Sequence, residues 1–255
     1  MISIQKYNNK MLHLWDDFIS NSNNGTIFNT RKFLSYHILR TFNDHSLFFF
    51  NNNELIAVLP AVLINLKGKH ILSSHPGASF GGLILKSNLK FSNINKILLA
   101  LSKYCSEQSI GEIILINTPI IYYKKRDESL NYLLLLHDFK IYENYISHYI
   151  NTINEKCLID LFNKRKKRYL NQLIREKKFI INNDGSMNDF YNILLDSKKT
   201  FNSKPTHSLK ELEKLQMLFP HKIELLISKD NNRIAGGTLI FYTSSTTCLV
   251  FYNVV

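Results

Sequence analysis

The sequence predicts a mixed α/β protein in two similar halves. Three observations carry that reading. Short apolar runs of strand type alternate with stretches whose apolar residues recur every three to four positions, the mark of amphipathic helices. Two hairpin-like segments, one in each half, hold similar residues at similar places. Hydrophobic residues make up 45% and charged residues 20% of the 255, a composition that buries a core and is too apolar for a disordered chain. At roughly 100–200 residues per domain, the length accommodates one large domain or two small ones.

The elements follow in order. Trp15-Asp-Asp-Phe18 opens an amphipathic helix, which the Asn-rich segment Asn21-Ser-Asn-Asn-Gly25 ends. From Phe28 to Leu39 the spacing of Phe33, Leu34, His37 and Ile38 predicts a second helix. The runs Ser46–Phe50 and Leu55–Leu63 flank Asn51-Asn-Asn-Glu54 and read as a hairpin, since Asn tolerates the left-handed backbone of a tight turn. A third strand, His70–Ser73, leads into the Gly-rich segment Ser74-His-Pro-Gly-Ala-Ser-Phe-Gly-Gly82. A helix over Asn93–Gln108, a strand over Glu112–Ile116, a helix over Leu130–Leu136 and an extended run over Phe139–Ile150 complete the first half.

The second half opens with Leu158–Phe179, a long and very basic helix or helix pair. Met187–Thr200 is helical, and Pro205-Thr-His-Ser208 caps another helix that carries Glu211 in its first turn. Ile223–Ile227, a turn over Ser228–Asn232 and Ile234–Tyr242 form a second hairpin, and Thr246–Val255 is a last strand. Asn53-Glu-Leu-Ile-Ala57 aligns with Asn231-Asn-Arg-Ile-Ala235 at an offset of about 178 residues, with helices before and a strand after each. The expected domains are therefore 1–145 and 146–255. On that offset the second copy stops where the first has its Gly-rich turn and later elements, roughly 70 residues short of a full repeat.

Composition narrows the function classes. Lys and Arg total 32 against 20 Asp and Glu, a net +12 that favours an anionic partner: nucleic acid, a nucleotide, an anionic lipid surface or a phosphorylated precursor. The three cysteines, Cys105, Cys157 and Cys248, are too few and scattered for a disulfide framework, and none has metal-ligand spacing. A reducing cytoplasm is the expected setting. The apolar run Leu55–Leu66 is interrupted by Pro60 and Asn65 and falls short of the roughly 18–20 residues that span a bilayer; the start lacks a secretory pattern.

Four segments carry candidate chemistry. Lys164-Arg-Lys-Lys-Arg168 and Arg175-Glu-Lys-Lys178 place eight basic residues and one acid within fifteen, so Arg165 and Arg168 are candidate phosphate contacts. The alternative is a solvated helix face. In the Gly-rich segment, His75 and Ser79 are candidate hydrogen-bonding groups, and Gly81 offers close backbone approach or simply a sharp turn. Neither a dinucleotide nor a P-loop fingerprint is present. Thr206, His207 and Ser208 precede a helix start, where they bind an anion or serve only as a cap. Ala235-Gly-Gly237 implies a bulge or close approach in a strand.

Taken together, Asn24-Gly-Thr-Ile-Phe28, the hairpin Asn53–Ala61, Ser74–Gly82, Pro205-Thr-His-Ser208 and Arg233-Ile-Ala-Gly-Gly-Thr-Leu-Ile-Phe241 resemble the FemAB-like branch of the GNAT acetyltransferase superfamily. The resemblance runs from about Trp15 to Phe241. It implies tandem GNAT-like domains, each a mixed central sheet flanked by helices, the second lacking its C-terminal portion. It implies transfer of an acyl group from acetyl-CoA or aminoacyl-tRNA to an amine of a peptidoglycan or polysaccharide precursor. No metal is implied. It further implies a substrate groove near His75, Ser79, Arg165, Arg168 and His207, with His75 or His207 as candidate base and oxyanion donors at a splayed strand. A remnant or binding module of the same fold, and an RNA-binding protein using residues 164–178, are the competing readings.

Overall fold

The computed structural model describes residues 1–152, 158–176, 179–182, 185–230 and 233–255. Cys157, Lys177, Lys178 and the Asn231-Asn232 part of the second hairpin turn lie outside the described residues. The chain divides into two compact units. The first comprises Met1–Phe139, Lys210–Ile223 and Phe241–Leu249; the second comprises Lys140–Leu209, Glu224–Ile240 and Val250–Val255.

The first unit begins with β1 (Ile2–Lys6), α1 (Leu12–Asn21) and the short α2 (Arg31–Leu34). Then come β2 (Leu47–Asn51), β3 (Glu54–Leu59), β4 (Ala61–Leu66), β5 (Lys69–Ser74) and β6 (Ile84–Leu85). It continues with α3 (Phe91–Glu107), β7 (Ile110–Ile114) and α4 (Ser129–Leu136). The predicted hairpin forms as β2–β3 around Asn52, whose φ of 55° is the left-handed turn that Asn permits.

The structure departs from the sequence pattern at three elements of this unit. Leu55–Leu63 is not one strand. Pro60 has no N–H to give a ladder, and the chain changes sheets there: β3 lies in the order β1-β2-β3-β6, and β4 in the order β4-β5-β7. Phe28–Leu39 is not one helix. A 3-10 turn at Ile27–Asn29 stops at Thr30, whose hydroxyl caps α2, and helix ends at Leu34, because the aromatic side chains of this segment bury in several directions. In the run Phe139–Ile150 neither helix nor strand forms, and residues 141–150 are exposed. The strand expected at Glu112–Ile116 is shifted to Ile110–Ile114 by its parallel register with β5.

Side-chain alternation divides the core. Leu47 and Phe49 of β2 point to the side of α3 and α4, where Ile94, Ile97, Leu98, Leu101, Leu130 and Leu133 are buried. Phe48 points the other way, onto Trp15 and Ile19 of α1. A bulge restores this alternation in β3. Phe49 pairs with Ala57 and Phe50 with Leu55, so Ile56 is the extra residue and joins Ala57 on the α3 side. A third, aromatic cluster holds Phe28 edge-on to Phe33 and Phe80 at 5.0 Å, with Phe241 at 6.1 Å.

The second unit holds α5 (Lys164–Glu176), β8 (Phe179–Asn182) and α6 (Met187–Lys199), and most of β9 (Ile223–Asp230), β10 (Arg233–Tyr242) and β11 (Cys248–Val254). α7 (Leu209–Leu218) lies, apart from its first residue, in the first unit. The sheet order is β11-β10-β9-β8. Strand β8 was hidden in the basic segment, where the sequence predicts helix as far as Phe179. The glycines of Ala235-Gly-Gly237 are packing positions. A Cβ on Gly237 would lie 2.7 Å from Phe190 of α6 and 2.9 Å from Ile227, and one on Gly236 would lie 2.7 Å from the Val254 carbonyl.

Gly237→Ala is expected to destabilise the protein by about 1–3 kcal/mol, because fully buried Phe190 has nowhere to yield. Gly111→Ala, at a position with open space, changes stability by less than about 1 kcal/mol. Urea denaturation of both variants checks the contrast.

Candidate functional site

The sequence candidates fall into two sets, one in each unit. His75, Ser79 and Gly81 lie in the Gly-rich loop of the first unit. Strands β5 and β7 run parallel through His70–Ile110 to Ser73–Ile114. Beyond that point they part, and the loop returns between their ends. Gly81 donates its N–H to the Ile116 carbonyl at 2.7 Å. The Ser74 hydroxyl accepts from Gly82 N at 3.1 Å and from Ile116 N at 2.9 Å. Gly82 takes a φ of 61°, and a Cβ there would meet the Asn117 side chain at 2.4 Å. The N–H groups of Gly81, Gly82 and Ile116 at this parting of strands are thus engaged within the protein.

His75 is buried at the start of the loop. Its backbone N–H donates to the Pro60 carbonyl at 3.0 Å. Its Nδ1 accepts from Gly77 N at 3.1 Å, so the neutral ring carries its proton on Nε2. Burial pushes its pKa down to about 4. Ser79 is exposed on the loop.

The same loop is held by a residue the sequence assigned only to a helix face. His37 Nε2 donates to the Gly77 carbonyl at 2.9 Å, and its Nδ1 accepts from Arg40 at 2.9 Å. Glu211 of α7 brings a carboxylate oxygen within 3.7 Å of Nδ1. Burial holds the His37 pKa below the ordinary histidine value. Glu211 was expected as a capping carboxylate; it is buried beside this ring. Phe42 sets its ring edge-on to His37 at 5.0 Å and to His75 at 4.6 Å. Nothing in the sequence spacing joins positions 37, 75 and 211; only the fold does.

In the second unit, Thr206, His207 and Ser208 precede α7. The Tyr252 hydroxyl accepts from Thr206 N at 3.2 Å and shares a hydrogen bond of 3.0 Å with His207 Nδ1. Tyr191 donates its hydroxyl to the His207 carbonyl at 3.1 Å. The His207 ring is buried, with Phe251 edge-on at 5.2 Å. Burial raises the Tyr252 pKa above the ordinary phenol value, against the lowering pull of the bonds from Thr206. The sequence reading took Phe251-Tyr252 only as strand, so Tyr252 was missed; the burial of β11 does not set it apart from Phe251, which also meets His207.

Arg165 and Arg168 lie on α5, exposed, each about one ring contact from Tyr169, with guanidinium carbons 5.7 Å from its centroid. The start of α5 is capped by Asn163, which accepts from Lys166 N at 2.9 Å. Among the described residues, no group of three His, Cys, Asp or Glu is close enough to hold a metal ion. No helix among them is long and apolar enough to cross a membrane.

The chain forms mixed sheets flanked by helices, with a helix crossing between parallel strands at β5-α3-β7. This is the fold of FemX. The FemX crystal structure aligns at a TM-score of 0.57 with 13% identity, over 89% of this chain and 57% of FemX. The chain thus spans little more than half the length of FemX. A ribosomal-protein-alanine N-acetyltransferase from Brucella melitensis biovar Abortus 2308 aligns at 0.37 with 14% identity, over 59% of this chain and 99% of its own. An aminoglycoside N-acetyltransferase in complex with CoA aligns at 0.35 with 10% identity, over 62% of this chain and 96% of its own. No protein-family model and no curated protein matches the sequence.

Two outcomes are expected here. Ser74→Ala removes the acceptor of two N–H groups and costs about 2–4 kcal/mol of stability, read by urea denaturation. The second concerns pH. The unfolded chain protonates His75 near 6.5, and the folded protein only near 4. This contribution is therefore complete above pH 6.5 and is lost as pH falls toward 4, by roughly 3 kcal/mol. His75→Asn should flatten the slope of stability against pH in that window; denaturation curves at pH 7, 6, 5 and 4.5 measure it.

Proposed function

We propose that this protein is an acyltransferase that moves an acyl group from acetyl-CoA or aminoacyl-tRNA to an amine of a cell-envelope or polysaccharide precursor. The observation that carries the reading is the Tyr252–His207 pair beside Thr206 N–H in a FemX-like fold. Attack of an amine on a thioester or ester carbonyl forms a C–N bond, breaks a C–S or C–O bond, and moves one proton from nitrogen to the leaving group. The pair is suited to carry that proton. The amine gives its proton to the phenol oxygen as the phenol gives its own to His207 Nδ1, and the proton returns by the same route to the leaving group. The raised pKa of Tyr252 keeps the phenol protonated between turnovers.

Of the two candidate histidines, His207 suits this role better. Its Nδ1 faces a hydroxyl, whereas the His75 Nδ1 is spent on Gly77 N–H. In this reading Arg165 and Arg168 meet the phosphates of the donor, and Thr206 and Ser208 orient the reacting groups. Ser79, exposed on the Gly-rich loop, and Gly81 belong to the first unit and are proposed as a separate set of candidate contacts. Residues 1–145 and 146–255 are the two proposed GNAT-like domains. The proposed setting is the cytoplasm, and Cys105 and Cys248 are free thiols.

The test uses the chain as it stands. Acetyl-CoA and aminoacyl-tRNA are titrated by calorimetry, and CoA release is followed with amino-sugar and peptide amines. Tyr252→Phe is expected to lower kcat about 10²-fold with little change in donor binding. Arg165→Glu with Arg168→Glu is expected to weaken donor binding at least ~10-fold. Absence of binding for both donors, or an unchanged kcat in Tyr252→Phe, overturns the proposal.

A further inference from the structure

We propose that α5 is an interfacial helix that docks this protein on an anionic lipid bilayer. The inference stands on α5 and its neighbouring turn alone and does not rest on the acyltransferase reading.

At 100° per residue, Tyr169, Leu170, Leu173 and Ile174 fall on one side of α5, with Lys166 the one basic residue among them, its long stem able to carry the ammonium out to the headgroups. Lys164, Arg165, Lys167, Arg168 and Arg175 fall on the other. A helix of this pattern in a soluble protein normally presses its apolar stripe into the core. Here none of the thirteen residues is buried. Tyr169 is 48% exposed, Leu173 38% and Ile174 57%. The 3-10 turn just before it, Leu158–Leu161, continues the surface, with Leu158 50% and Leu161 48% exposed. A strongly amphipathic helix with low overall hydrophobicity, basic on its polar face, lies in the plane of a membrane interface. Its apolar side chains enter the acyl boundary, and its Lys and Arg meet anionic headgroups.

The alternatives explain only part of this surface. Nucleic acid neutralises the basic face and leaves the apolar side chains in water. A second copy covers the apolar face but sets one helix of six basic residues and one acid against another. An anionic bilayer satisfies both faces at once. The five basic residues on the polar face supply the long-range attraction, and the apolar arc supplies the short-range hold.

The test is co-sedimentation of the full chain with vesicles of phosphatidylcholine, and with vesicles in which about a third is phosphatidylglycerol. Binding is expected only to the second, weakening as salt is raised. Leu173→Ser with Ile174→Ser should lower the partition at least ~10-fold, and Lys164→Glu with Lys167→Glu at least ~25-fold. Leu173, Ile174 and Lys164 are exposed, Lys167 is half-exposed and paired with Asp160 at 3.1 Å, and fully buried Trp15 reports by its emission that the first unit is folded. Ile174→Trp should show a blue shift when anionic vesicles are added. Equal binding to both vesicle types, no binding, or binding indifferent to Leu173→Ser with Ile174→Ser overturns the proposal. So does the finding that tRNA or self-association, rather than vesicles, depends on the apolar pair.

Discussion

Where two parallel strands part, their inner N–H and C=O groups lose partners, and in the first unit everything near the Gly-rich loop follows from meeting that need. The Ser74 hydroxyl accepts two of the orphaned N–H groups, and Gly81 pairs with Ile116 as a short third strand would. For the loop to return so closely, Gly82 must adopt a left-handed φ hard against Asn117. For the loop to leave β5 sharply, His75 must turn inward and give up its charge. One backbone requirement thus fixes a serine, a glycine and a histidine whose side-chain chemistry alone suggested catalysis.

The same economy recurs in the side-chain amides of the first unit. Asn24 donates to the Leu83 carbonyl and accepts from Leu85 N, both at 2.8 Å, so its amide acts as a strand edge for the chain entering β6. Asn23 does the same for Lys125, at 2.9 Å in each direction. An Asn-rich segment that reads as a simple helix stop is thereby a double clamp on distant backbone. In the second unit a similar network, buried only at His207, joins Thr206, His207 and Tyr252, but there the groups are a phenol and an imidazole, which can exchange protons as well as satisfy bonds.

The sequence made the regular elements legible where one periodicity ruled. The helix over Asn93–Gln108 appears as Phe91–Glu107, and the Asn-rich hairpin turn lies between β2 and β3 as its residues require. It misled where local and tertiary demands diverged. The stretch from Phe33 to Ile38 has helical spacing, yet the burial of Tyr36 and the bonds of His37 to Gly77 and Arg40 hold the chain out of helix. Eight residues of strand-like character around Pro60 became two strands because a residue without an N–H cannot sit inside a ladder. Of the site, His207 and its flanking hydroxyls were legible as a motif, and Tyr252 was not, since 45 residues separate it from the ring it meets.

By itself, then, the sequence determined the fold class, the order of elements and the concentration of positive charge at the start of the second half. These rest on local composition and periodicity, which act over a few residues. Tertiary structure alone decided that His75 is neutral and engaged, that Glu211 is buried against His37, and that Tyr252 meets His207. It also decided that no residue of the apolar stripe of α5 is buried among the described residues. Burial and hydrogen-bond partnership depend on what the rest of the chain brings alongside, and a linear pattern records which residues are present but not which of them meet.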